Sequence, residues 1–397
     1  MAADRSRMGC CWLFLFVFSS SQCLSSGADK SSRKLSMELN PGYPSKPHGG
    51  DLLHIRALGD NDTLHFLFCS QGAPTLLLVH TNTTTSTVKV DWDKFVERNT
   101  TGSLKVEPES SILYSNALVI TRLLEYNDIN DTAIPTSDLF PPYDLQNFLW
   151  ARLNLSAPSA QLCGTPNSTN GSLCVELTAF ETEGRSSSWP RLLHNTDSSQ
   201  LTVSIDGLSP RASHSRFLLE VQAVSGASSL RQVDEIQSID DEFTPSIFKV
   251  YQWVSSVNGS SDVLGFVQWK PVAYRKTNAA LEDATPCRHS SPEQQNGTVT
   301  AVASGLIRAF YGESPETFGL NVSFGLSGDP FYNSTQFLSW TLLVGVGSPP
   351  VESFSPLVIT IMAAGLGAPF VFLLLGGIFV CVRKKTGTST TAYEPIN

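Results

Sequence analysis

Leu357–Val382 reads LVITIMAAGLGAPFVFLLLGGIFVCV, a run without a charged residue, and Arg383, Lys384 and Lys385 follow it at once. As a helix its 26 residues would extend roughly 39 Å, enough to cross a hydrocarbon core of about 30 Å with some tilt. The basic triplet predicts a cytosolic C-terminal side. Residues 357–382 are therefore expected to be a transmembrane helix and residues 383–397 a cytosolic tail. Everything before the helix must then fold on its own, outside the cytosol.

The N-terminus predicts the same topology. Arg5 and Arg7 precede the short apolar stretch Cys10–Phe18 and then mostly small residues, the order of a signal peptide over residues 1–25. The chain is thus expected to be a type I, single-span protein. Residues 28–355 are long enough for one large or two ordinary domains, and we expect a lumenal β domain over 28–140 and a second over 141–355. Ile134–Tyr143, with prolines at 135, 141 and 142, is the preferred linker, and Ser225–Ile236 is a second candidate. The net charge of −9 argues against a nucleic-acid ligand, which needs a basic face.

Between the signal segment and the apolar run the residues read as many short strands. Leu52–Leu58, Thr63–Cys69, Thr75–His80, Ser86–Trp92, Ala117–Glu125, Leu173–Phe180, Gln200–Ile205 and Arg216–Val224 are rich in Val, Leu, Phe and Thr and bounded by turn residues. Ser246–Trp253, Gly265–Ala273, Leu306–Tyr311, Phe318–Phe324 and Phe337–Val346 continue the series. Helical periodicity is missing outside the apolar run. The expected class is mainly β, a sandwich-like region of two fused sandwiches, plus one C-terminal transmembrane helix. Residues 284–300 read as a polar loop.

Four cysteines fall in the β region, Cys69, Cys163, Cys174 and Cys287. An even number in an oxidising compartment predicts two disulfides with three possible connectivities. The local pair Cys163–Cys174, with Cys69–Cys287, is the first choice. Cys381 is a candidate for palmitoylation or apolar filler.

The sequon Asn-x-Ser/Thr occurs at Asn61, Asn82, Asn99, Asn130, Asn154, Asn167, Asn170, Asn258, Asn296, Asn321 and Asn333. These are eleven of the seventeen asparagines ahead of the apolar run, a density that predicts a glycan coat. Bulky glycans keep proteases away from loop tips.

Motifs for catalysis and metal binding are missing. The chain has neither a Gly-x-Ser-x-Gly elbow nor a His-Glu-x-x-His pair, and its seven histidines are scattered. The acidic run Asp240-Asp241-Glu242 reads as a solvated turn rather than a calcium or catalytic site. No catalytic residue, metal ligand or cofactor is expected. In the tail, Tyr393-Glu394-Pro395-Ile396 has the Tyr-x-x-apolar form of a lysosomal sorting signal, with Tyr393 and Ile396 filling two pockets of a clathrin adaptor. Within the span, Ala363, Ala364, Gly367 and Ala368 place small residues at four-residue spacing, a surface suited to close helix packing.

Several segments carry a family resemblance. They are Leu52–Gly59 (LLHIRALG), Ala117–Glu125 (ALVITRLLE), Pro190–His194 (PRLLH), Ser238–Phe243 (SIDDEF), Gln268–Tyr274 (QWKPVAY), Leu338–Gly347 (LSWTLLVGVG) and Ser355–Val358 (SPLV). With the tail motif they make the chain resemble the glycosylated lysosomal membrane protein family. That resemblance implies a lysosomal protein without catalysis of its own, the accessory subunit of a major-facilitator dipeptide transporter that it stabilises and shields from hydrolases. The alternatives are a membrane-anchored hydrolase and a lumenal ligand-binding or adhesion module.

Overall fold

The structure is a computed structural model of the 397-residue chain that describes residues 32–43, 50–97, 101–135, 139–167, 170–225, 230–238, 247–256, 262–352, 354 and 356–386. The signal segment, the Asp240–Glu242 run and the tail motif lie outside the described residues.

The chain starts as a meander. Strands β1 (Lys34–Leu39), β2 (Leu52–Leu58), β3 (Thr63–Cys69) and β4 (Thr75–Thr81) pair antiparallel in order. Asp91 then caps a short helix, α1 (Trp92–Val96), accepting from the Lys94 amide at 3.4 Å. The long β5 (Ile112–Asn127) pairs with β4. Four strands of a second sheet follow, β6 (Asn154–Ser156), β7 (Ser159–Thr165), β8 (Ser172–Ala179) and β9 (Ser198–Asp206), again neighbour to neighbour.

The chain returns to the first sheet with β10 (Ser215–Ser225), on the free edge of β5. It goes back to the second with β11 (Lys249–Ser256) and β12 (Val263–Trp269). Strands β13 (Val272–Tyr274) and β14 (Ala284–His289) pair with each other and join the sheets. Two helices, α2 (Gly297–Ala303) and α3 (Gly305–Tyr311), precede β15 (Thr317–Phe324), which closes on β10 and β14. The last strand, β16 (Phe337–Val346), inserts between β9 and β12 and also pairs with β13.

The boundary expected at residues 140 and 141 falls between β5 and β6. Because β5 pairs with β4 before that point and β10 after it, the first sheet draws strands from both sides. One apolar cluster serves both sheets, with Leu67, Leu77 and Val119 from the first and Leu177, Leu201 and Leu342 from the second.

Burial patterns follow composition. In β8 (SLCVELTA), Leu173, Val175, Leu177 and Ala179 are buried while the residues between them are half-exposed, the period of a sheet with one wet face. Strand β3 (TLHFLFC) is buried at every position, so both faces of the first sheet are covered there.

The expected strands Leu52–Leu58, Thr63–Cys69 and Phe337–Val346 have the observed bounds. The expected strand Leu306–Tyr311 is instead helix α3. Ser304 accepts from the Ile307 amide at 3.2 Å as its N-cap, and Leu306, Ile307 and Ala309 turn into the core. The expected polar loop 284–300 holds β14, the short strand Glu293–Gln295 and the start of α2, capped by Asn296.

Cys163 and Cys174 face each other across β7 and β8 and form a disulfide. The second expected bridge, Cys69–Cys287, is not formed. Both residues are buried thiols: Cys69 at the end of β3 accepts from the Gln71 amide at 3.3 Å, and Cys287 in β14 donates to the Lys270 carbonyl at 3.7 Å. Burial pushes the Cys287 thiol pKa up.

Described on its own, α4 (Pro356–Thr386) contains an uncharged apolar stretch long enough to cross a membrane, with Pro369 inside it.

Candidate functional site

The outer face of the second sheet is a polar groove of about 1010 Å³. Its floor follows from strand alternation. Each floor strand sends Leu, Val or Ile to the core, so Ser, Thr, Gln and Glu must face out. Directly opposed residues share a face, and register aligns Gln161 with Glu176, Glu176 with Thr202, and Thr202 with Thr341. A second row runs Cys163, Cys174, Ser204, Ser339 and Tyr274. Hydroxyls bridge the strands: Ser159 Oγ lies 2.7 Å from Thr178 Oγ1, and Thr202 Oγ1 lies 3.2 Å from Thr341 Oγ1.

Aromatic side chains form one wall. Trp189 and Tyr274 both line the groove with ring centroids 6.2 Å apart, and the Arg191 guanidinium sits 4.6 Å above the Trp189 ring. Tyr274 is buried, yet its hydroxyl has no hydrogen-bond partner among the described residues. Burial drives the Tyr274 pKa upward, so the group is a neutral phenol able to donate. A volume near the top of the range for ligand sites, about 300–1,000 Å³, combined with amides, hydroxyls and an aromatic wall, suits a polyhydroxylated ligand.

Several titratable groups away from the groove are engaged in structure. His54 Nε2 lies 2.9 Å from His65 Nδ1, and His65 Nε2 lies 2.8 Å from Ser86 Oγ. Arg33 forks onto Asp62 at 2.8 and 2.7 Å and reaches Asp197 at 2.8 Å, while His80 Nε2 shares the Asp62 Oδ2 at 2.8 Å. Burial opposes the Asp62 charge, but the Arg33 and His80 bonds outweigh it and hold the carboxyl below its usual pKa. Arg216 binds Asp128 at 2.8 Å and Asp131 at 2.5 Å beneath the Phe331 ring. No group of three metal-ligating side chains occurs among the described residues.

Asn61, Asn82, Asn130, Asn154, Asn167, Asn170, Asn296, Asn321 and Asn333 are all exposed, on both sheets and their loops. Asn321 lies within β15 but on its solvent face. Asn99 and Asn258 lie outside the described residues. Ala363, Ala364 and Ala368 are exposed on α4, and a Cβ added at Gly365 or Gly367 would meet open space. Sequence reading missed the groove; its signal was the alternation in Ser172–Ala179 and Gln200–Asp206.

A mainly β region followed by the one apolar helix of spanning length among the described residues fits a protein anchored to a membrane near its C-terminal end. The chain belongs to the glycosylated lysosomal membrane protein family, whose profile matches residues 51–387. The relative from Danio rerio is 53% identical over 402 residues, covering 98% of each chain. Those from Mus musculus and Homo sapiens are 40% and 39% identical, each over 92% of this chain and 91% of its own. All three carry the name glycosylated lysosomal membrane protein.

Proposed function

We propose that this lysosomal membrane protein is a non-catalytic accessory subunit. It lies type I, with its β region in the lumen and its tail in the cytosol, and associates with a lysosomal major-facilitator dipeptide transporter. It stabilises that transporter and shields it from lumenal proteolysis. The observation that carries this reading is the distribution of sequons. All nine described sequon asparagines are exposed, and they stand on both sheets and the loops between them. Glycans so placed cover backbone that hydrolases would otherwise reach. The engagement of His54, His65, Asp62 and Asp128 in structural bonds also favours a protective role over a reactive one. The exposed small residues at 363, 364 and 368 suit packing against helices of a multispan partner. Tyr393 and Ile396 would recruit a clathrin adaptor for delivery.

The test is isolation of the chain from lysosomes in mild detergent, with mass spectrometry of its companions. A stoichiometric multispan transporter is expected, and its level should fall when this chain is deleted. Recovery of the chain alone, or an unchanged transporter level after deletion, overturns the proposal.

A further inference from the structure

The groove has an occupant within reach on the chain itself. Strand β6 is the three-residue edge of the second sheet, and its Asn154 stands directly opposite Gln161 in β7. Opposed residues point to the same face. Asn154 therefore projects on the groove side, and Gln161 is the first residue of the floor row that continues through Glu176 to Thr202. Asn154 heads the sequon Asn-Leu-Ser and is exposed.

We propose that the N-linked glycan of Asn154 lies in this groove, seated on the polar floor with its trunk directed toward the Trp189–Tyr274 wall. Tyr274 on β13 lies five strand spacings from β6, about 24 Å at roughly 4.8 Å each, a span for the extended branches of a mannose-rich N-glycan. Sugars need what the groove presents. Gln161, Glu176 and Thr202 offer donors and acceptors to hydroxyls. The Trp189 ring offers an apolar plane to the C–H face of a pyranose. The glycan would also cover the short edge strand β6, which otherwise leaves unpaired backbone groups open to another chain. No other sequon asparagine is opposed in register to a residue of the groove floor among the described residues.

The inference rests on the lumenal placement of the β region, and its test separates the two. The full-length protein is expressed in mammalian cells, and each glycopeptide is analysed by mass spectrometry. A glycan seated in the groove is hidden from Golgi enzymes, so the Asn154 glycopeptide should remain mannose-rich while those of Asn61 and Asn333 are processed. Trp189→Ala and Gln161→Ala, at a loop and an exposed strand position, should each shift the Asn154 glycopeptide toward processed masses and leave Asn61 unchanged. An unmodified Asn154 in a chain glycosylated elsewhere overturns the inference alone. So does an Asn154 glycan processed like the others, or one that stays mannose-rich in both variants. A chain bearing no glycan at any site overturns the lumenal placement itself.

Discussion

The ring of Tyr114 fills the space that a side chain on Gly265 would need. A Cβ built on Gly265 would lie 2.3 Å from the ring carbon Cε1 and 2.7 Å from the hydroxyl oxygen. Tyr114 belongs to β5 of the first sheet and Gly265 to β12 of the second, so this is a point where the sheets touch. Gly265→Ala should therefore cost about 1–3 kcal/mol through overpacking. Thermal unfolding checks it, and an unchanged melting temperature would show that the ring moves freely.

The His54–His65 pair sets a pH dependence. Burial, helped by the nearby Arg56 charge, lowers the His54 pKa to about 4. Burial, the His54 charge and Arg56 lower that of His65 to about 3. Both values lie below the unfolded one of about 6.5. The unfolded chain thus binds protons that the native chain refuses. The contribution is fully present above pH 6.5 and is lost as pH falls toward 4 and then 3. Each histidine should contribute a slope of up to about 1.4 kcal/mol per pH unit in that window. Denaturant unfolding between pH 7 and 4.5 should show stability dropping with acid. His54→Gln should flatten the profile by roughly one such slope; a profile of unaltered steepness would exclude the pair as its source.

The cysteine arrangement predicts a labelling pattern. Denatured without reductant, the β region should take up alkylating reagent at Cys69 and Cys287 only; after reduction Cys163 and Cys174 should react as well. The folded protein should leave Cys69 and Cys287 unlabelled because both are buried. Replacing Cys163 and Cys174 together by Ala should destabilise the protein by about 3 kcal/mol. Peptide mapping that found Cys69 joined to Cys287 would refute the pattern.

The tail predicts a change of address. Tyr393→Ala should move the protein from lysosomes to the cell surface, read by surface biotinylation. Continued lysosomal residence would mean that the motif is inert or that a partner carries the signal.

Strand content was legible in the sequence because β-rich runs and turn residues alternate in short blocks. Phe337–Val346 and Leu52–Leu58 needed nothing else. Leu306–Tyr311 misled because its seven-residue helix is too short to show a period and its apolar residues are nearly continuous. The cap that decides the matter, Ser304, is a single residue. The groove was not legible as a site, since it exists only once β7, β8, β9 and β16 are set side by side, and pairings such as Thr202 with Thr341 span more than a hundred residues. The same holds for Arg33, whose partners Asp62 and Asp197 lie far along the chain. The sequons were readable one by one, but the placement of Asn154 opposite Gln161 was not.

Strand β16 sits in the middle of the second sheet, between β9 and β12, yet it is the last strand made before the apolar run. During translation β9 and β12 must wait for their shared neighbour until almost the whole chain has been synthesised. Closure of this sheet is thus tied to the arrival of the anchor, and late, long-range pairings of this kind are slow. Sequons that end up on finished strands, such as Asn321 in β15, would meet the sugar-transfer machinery while still extended. A message cut short anywhere before residue 337 would yield a chain missing its central strand, recognisable to quality control as incomplete whatever its other domains of sequence had begun to form.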